Sequence, residues 1–195
     1  TMKSYVYLFV IGITFSLPAI SSDSISPDHW NYVEASRLVL KSDDNSQDEE
    51  GYGLGAKYAL DDIFYLSGMY QVYDIGASDV DRYILGIGGR YNINNQLIPY
   101  AQLDRVKIKV KSKFGNADVD YWIISAGISG TLRNFGYKLA LTQYEAISEN
   151  LGSGSESGYY VEAYYSINKT ISLGVEIESI NDTGDFYNYG FRYHF

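Results

Sequence analysis

The chain has 195 residues, 46% of them hydrophobic and 20% charged, a balance that excludes a disordered polymer. Aromatic residues make up 16% and glycines number 19 against 3 prolines, a β-rich composition. The lack of Cys excludes disulfides, thiolate zinc sites and cysteine nucleophiles, two histidines (His29 and His194) are too few for a histidine metal cage, and the net charge of −9 opposes binding along nucleic-acid phosphates. No cofactor and no metal site are expected.

Residues 1–21 read as a secretory signal peptide: Lys3 supplies a positive start, residues 5–17 are apolar, and Ala19 and Ser21 are the small residues of a cleavage site. Thirteen apolar residues are too few for a helix across about 30 Å of hydrocarbon. The remaining span, 22–195, is expected to be a single domain. It contains no later run of eighteen apolar residues, so a spanning helix is not expected.

From residue 30 onward the chain alternates with period two, the mark of strands with two unlike faces. Ten such segments follow in order: 30–40, 51–60, 63–73, 80–92, 97–110, 118–130, 134–144, 159–166, 171–180 and 186–195. In 51–60 the apolar face is Tyr52, Leu54, Ala56, Tyr58 and Leu60; in 171–180 it is Ile171, Leu173, Val175 and Ile177. These segments exceed the usual strand of about 5 to 6 residues and suit a tilted transmembrane strand of about 9 to 11. Their connections alternate in length. Longer or more polar ones at 41–50, 74–79, 111–117, 145–157 and 181–185 alternate with tight turns at 61–62, 93–96, 131–133 and 168–169, as extracellular loops and periplasmic turns do. The expected fold is all-β: an antiparallel up-and-down transmembrane β-barrel of about 10 strands, with 8 as the alternative count.

The face opposite the apolar one carries Gly53, Gly55 and Lys57, then Arg82, Gly86, Gly88 and Arg90, then Ser125, Gly127 and Ser129. Glycines beside long charged side chains suit the interior of a small barrel better than a solvated exterior, which argues against a lipocalin-like cup with its apolar face inside. Tyr52, Tyr58, Tyr70, Tyr83, Tyr91, Trp122, Tyr137, Tyr159, Tyr165 and Tyr187 lie near segment ends, as aromatic girdles require. On the same parity Lys57, Arg82, Arg90, Asp104, Lys138, Glu162, Glu176, Glu178 and Arg192 face the lumen, where pairing is expected because unpaired buried charge is costly. That set reads either as a salt-bridged plug or as the wall of a narrow conduit.

The last segment places Tyr187, Tyr189, Phe191, Tyr193 and Phe195 on alternate positions. Here the chain resembles the Gram-negative outer-membrane β-barrel proteins, and in size the small OmpA/OmpX-type barrels. The resemblance implies an outer-membrane location, recognition of these five aromatics by the barrel assembly machinery, and lipid and lipopolysaccharide as neighbours. Ten strands depart from the eight usual in that group, and a peptidoglycan-binding domain is not expected. A monomer is expected.

Two surface features stand out. Lys107, Lys109, Lys111 and Lys113 alternate with Val106, Ile108 and Val110; the lysines read as a row for lipopolysaccharide phosphates or as protection of a strand edge. A lipid-facing Val106, Ile108 and Val110 alongside lipid-facing Ala101 and Leu103 requires a bulge near Asp104 and Arg105. Asp43, Asp44, Asp48, Glu49 and Glu50 form an acidic loop without the spacing of an EF-hand. For catalysis, His29 and His194 are both expected at the periplasmic end, away from the outer rim used by lipid-active barrel enzymes. The expected role is therefore structural or surface contact, with a narrow passive channel as the alternative and a lipid-active outer-membrane enzyme as the third reading.

Overall fold

The computed structural model describes residues 30–41, 49–76, 78–113, 115–147, 155–181 and 184–195. Ten antiparallel strands close into one barrel, each paired with its sequence neighbours and β1 with β10. They are β1 (Tyr32–Lys41), β2 (Glu49–Ala59), β3 (Phe64–Ile75), β4 (Ser78–Arg90), β5 (Ile98–Ser112), β6 (Gly115–Leu132), β7 (Phe135–Ala146), β8 (Ser155–Ser166), β9 (Ile171–Ile180) and β10 (Gly184–His194). Closure leaves no free edge among the ten strands, so the edge-protection reading of the lysines does not apply. The signal-peptide segment, His29, Asp43, Asp44 and Asp48 lie outside the described residues.

Both described ends, Trp30 and Phe195, lie at the end with the short turns, as an even strand count demands. Side-chain acceptors shape three of these turns. Asp61 Oδ1 accepts from the backbone N–H groups of Ile63 and Phe64 at 2.7 and 2.6 Å, and Asn168 Oδ1 accepts from those of Thr170 and Ile171 at 2.8 Å each. Asn94 Oδ1 accepts from Gln96 N–H at 2.8 Å. The hydrogen bonds from Phe64 and Ile63 hold the Asp61 carboxyl below its usual range.

At the other end three of the five expected loops are short, the third being the connection from Ile180 of β9 to Gly184 of β10. β3 and β4 run on to Ile75 and Ser78, and β5 and β6 to Ser112 and Gly115, so the polar residues of 74–79 and 111–117 belong mostly to strands that rise beyond the apolar band. The band is legible along β4, where Tyr83, Leu85 and Ile87 face outward and Tyr91 is exposed just past its end. Eight steps from Tyr83 to Tyr91, at about 3.4 Å each and a tilt near 40°, give roughly 21 Å, close to the height of an outer-membrane apolar belt.

The expected bulge is not present in β5. Its register is unbroken against both neighbours, from Arg90↔Tyr100 to Ser78↔Ser112 and from Ile98↔Ser129 to Ser112↔Gly115. Side-chain alternation therefore continues: Asp104, Val106, Ile108 and Val110 point inward, and Arg105, Lys107, Lys109 and Lys111 outward. The valines and Ile108 fill the outer end of the barrel.

Candidate functional site: the lumen

The inward side chains form three tiers along the axis. The periplasmic tier is aromatic. Trp30 folds into the mouth, its ring 4.6 Å from that of Tyr65 and 6.2 Å from that of Tyr100. Cations rest on these rings: Lys57 Nζ lies 5.1 Å from the Trp30 and Tyr65 centroids, the Arg90 guanidinium 4.9 Å from Trp30, and Lys138 Nζ 4.6 Å from Tyr100. Arg90 also donates to the backbone carbonyls of Asp61 and Asp62, tying the turn to the floor.

The middle tier is ionic. Arg192 on β10 binds three carboxylates from three strands: Glu34 on β1 at 2.5 Å, Glu162 on β8 and Glu176 on β9. Asn188 donates to Glu34 and Glu176 at 3.1 and 3.0 Å, and the Tyr160 hydroxyl to Glu162 at 2.7 Å. Arg82 on β4 reaches Glu178 on β9 through two bonds of 3.0 Å, and the Tyr144 hydroxyl donates to the same carboxylate. Since β4 and β9 are diametrically opposite in the ring of ten, this pair is a bar across the bore. Asp104 is held by the Gln102 amide at 2.7 Å, and Gln102 in turn accepts from the Tyr65 hydroxyl.

Between floor and bar lies a cavity of about 130 Å³ lined by Lys57, Lys138, Ser67, Gln102, Ser125 and Thr142 among others. Glycines make the room: a Cβ at Gly86 would strike Asp104, one at Gly88 the Tyr65 ring, and one at Gly136 the Tyr164 ring. The outer tier is apolar. Val106, Ile123, Tyr144 and Ile180 form one buried cluster, and Leu38, Tyr73 and Val80 another.

The structure thus brings the sequence-derived lumen set, Lys57, Arg82, Arg90, Asp104, Lys138, Glu162, Glu176, Glu178 and Arg192, onto the inner wall, but as separate groups rather than one network. Glu34 was missed. It shares parity with Tyr32, and that inward position was its only signal. The aromatic floor was missed because residue 30 read as the start of the first strand, whereas β1 begins at Tyr32 and Trp30 folds into the mouth. His194 faces inward with its Nε2 2.7 Å from Ser172 Oγ; both are buried, so the pair stitches β10 to β9 and does not present a nucleophile.

On the outer surface the lysine row stands between acidic columns. Lys107 bridges Asp118 at 3.2 Å, Lys111 bridges Asp81 at 3.2 Å, and Lys109 lies over the Tyr83 ring. Lys113 lies beyond the last residue of β5. Of the acidic loop, Glu50 pairs with Arg37 at 2.5 Å and Glu49 accepts from Gly76 N–H. Tyr187, Tyr189, Phe191, Tyr193 and Phe195 line the outward face of the closing strand.

Residues 31–111 match the model of the Gram-negative porin family. Among solved structures, the chain is similar to the KdgM porin in complex with disordered oligogalacturonate (13% identity, 84% of this chain and 99% of that one, TM-score 0.47). It is also similar to the NanC porin (9%, 85% and 100%, 0.45) and to Ail, the attachment invasion locus protein of Yersinia pestis (15%, 84% and 95%, 0.37). No curated protein matches the sequence. With its closed ring of ten strands, outward-facing aromatic belt and polar mid-lumen, the chain has the fold of a small outer-membrane-type β-barrel, and its residues 31–111 are similar to the Gram-negative porin family.

Proposed function

We propose that the barrel is a narrow, non-catalytic passive conduit for ions or small solutes, closed at rest. The observation that carries this reading is the charged middle tier around a cavity. A bore that only needed filling is filled more cheaply by apolar side chains, because each buried ion costs several kcal/mol unless well paired. Ionisable groups held at membrane depth mark ion and solute pathways more often than they mark packing. The match of residues 31–111 to the porin family supports the same reading. Passage requires the Trp30 floor to shift, the Arg82–Glu178 bar to open and the outer apolar cluster to loosen, so current steps should be small and infrequent.

Single-channel recording on protein refolded into planar bilayers tests this. Wild type should show brief steps, and Trp30→Ala should lengthen or enlarge them. Silence in both, from barrels proven folded, refutes the conduit. A structural or surface role is the second reading, favoured by the apolar outer clusters and the aromatic floor, which together fill both ends. On that reading the outward lysines contact lipopolysaccharide phosphates above the belt, and the barrel works as a monomer.

A further inference from the structure

We infer that the mid-lumen cavity is a binding site for a small oxyanion of the inorganic phosphate class, held between the ammonium groups of Lys57 and Lys138. The inference names the solute class that the conduit reading leaves open and rests on that reading for its physiological meaning, while equilibrium binding tests it separately.

Lys57 stands on β2 and Lys138 on β7, five strands apart in a ring of ten, so they enter the cavity from opposite walls. Both are more than nine-tenths buried, at 7% and 9% exposure. Both ammoniums rest on one aromatic floor, Lys57 on Trp30, Tyr32 and Tyr65 and Lys138 on Tyr100 and Tyr160. Among the described residues neither has a carboxylate within 4 Å. Ring faces offset part of the charge but accept few of the six N–H bonds that two ammoniums offer.

The nearby acids are engaged elsewhere. Glu162 stands directly opposite Lys138 in the β7–β8 register, yet one of its oxygens accepts from Arg192 and the other from the Tyr160 hydroxyl. Glu178 is held by Arg82, Glu176 by Arg192 and Asn188, and Asp104 by Gln102. What the cavity offers a guest is therefore two cations with unused donors and the Ser125 hydroxyl, beside the already engaged carboxylates of Asp104, Glu176 and Glu178; the Ser67 and Thr142 hydroxyls donate to Asp104 and Tyr144. A metal cation would meet the ammoniums at once. An oxyanion accepts from both walls, and about 130 Å³ admits an inorganic oxyanion with a few waters but not an oligosaccharide.

The test is calorimetric titration of refolded barrel in detergent with inorganic phosphate. Wild type should bind saturably, and Lys57→Met and Lys138→Met should each weaken binding at least tenfold, with Lys57→Gln and Lys138→Gln as substitutes should a methionine variant not fold. The surface variant Lys107→Gln/Lys109→Gln/Lys111→Gln should bind as wild type. Absent saturation in wild type, unchanged binding in the lumen variants, or loss in the surface variant overturns the site. Binding without channel current leaves the site standing and removes the conduit; current without binding does the reverse.

Discussion

Replacing Arg192 by methionine keeps much of the side chain's bulk and removes, among the described residues, the cation that touches Glu34, Glu162 and Glu176. Glu34 and Glu162 are each 4% exposed, so neither can turn to water in place. Removing one partner of a buried pair costs about 3 to 5 kcal/mol because the other charge stays buried. With three carboxylates left facing one another, Arg192→Met should lie at the upper end, about 5 kcal/mol. Urea unfolding from lipid vesicles, followed by the fluorescence of Trp30 and Trp122, measures it. The triple variant that adds Glu34→Gln and Glu176→Gln should recover a large part, since the repulsion goes with the charges. A loss below about 1 kcal/mol, the value of a solvated pair, would mean that water reaches the middle tier, and the buried-network account would fall.

Four further outcomes are expected. Val161→Arg, on the lipid face between Leu139 and Ile177, should cost roughly 2 to 4 kcal/mol in vesicles, and Ser125→Lys, beside the cavity, less; the reverse order would invert the facing. Gly136→Val should cost about 1 to 3 kcal/mol by displacing the Tyr164 ring, whereas Gly68→Ala, whose added Cβ meets only ordinary contacts, should be close to neutral in the same unfolding assay. Converting Lys107, Lys109, Lys111 and Lys113 to Gln should lower lipopolysaccharide binding at low salt while leaving folding within about 1 kcal/mol per lost pair, and superimposable binding curves across an ionic-strength series would remove the lipid contact. Phe191→Ser with Phe195→Ser should leave the protein in the periplasm; normal outer-membrane levels on fractionation would show that these aromatics are not an assembly signal.

How far the sequence could be read depended on which solvent each face meets. Where the exterior is hydrocarbon and the interior polar, as on β2 and β9, alternation separates Leu54 from Gly53 and Val175 from Glu176, and strand and facing were both legible. Above the belt the contrast inverts. On β5 the exterior is water, so lysines face out and Val106, Ile108 and Val110 face in. Reading those apolar residues as lipid-facing called for a bulge that the unbroken register excludes. The same inversion made Asp74, Asp79 and Lys111 look like loop. The lumen residues were legible by parity alone, but parity carries no height and no partner. That Glu178 meets Arg82 across the bore, while Glu162 turns from Lys138 to Arg192, depends on strand stagger, which a single sequence does not encode locally.

The seam between β1 and β10 also bears on how the barrel forms. Its ten residue pairs join stretches from opposite ends of the sequence, and the Glu34–Arg192 contact spans 158 positions. Such a contact closes one of the longest loops among the described residues and should form late, since loop-closure entropy opposes it until the intervening hairpins are in place. Before closure Glu34 and Arg192 sit on two open edges in reach of water. A closure slipped by one residue would turn one edge inside out, and a slip of two would set Glu34 beside Gly190 or His194 in place of Arg192 and strand its charge in the bore. The ion cluster thus acts as a late checkpoint on register, penalising misclosed barrels by an amount comparable to the net stability of a folded domain.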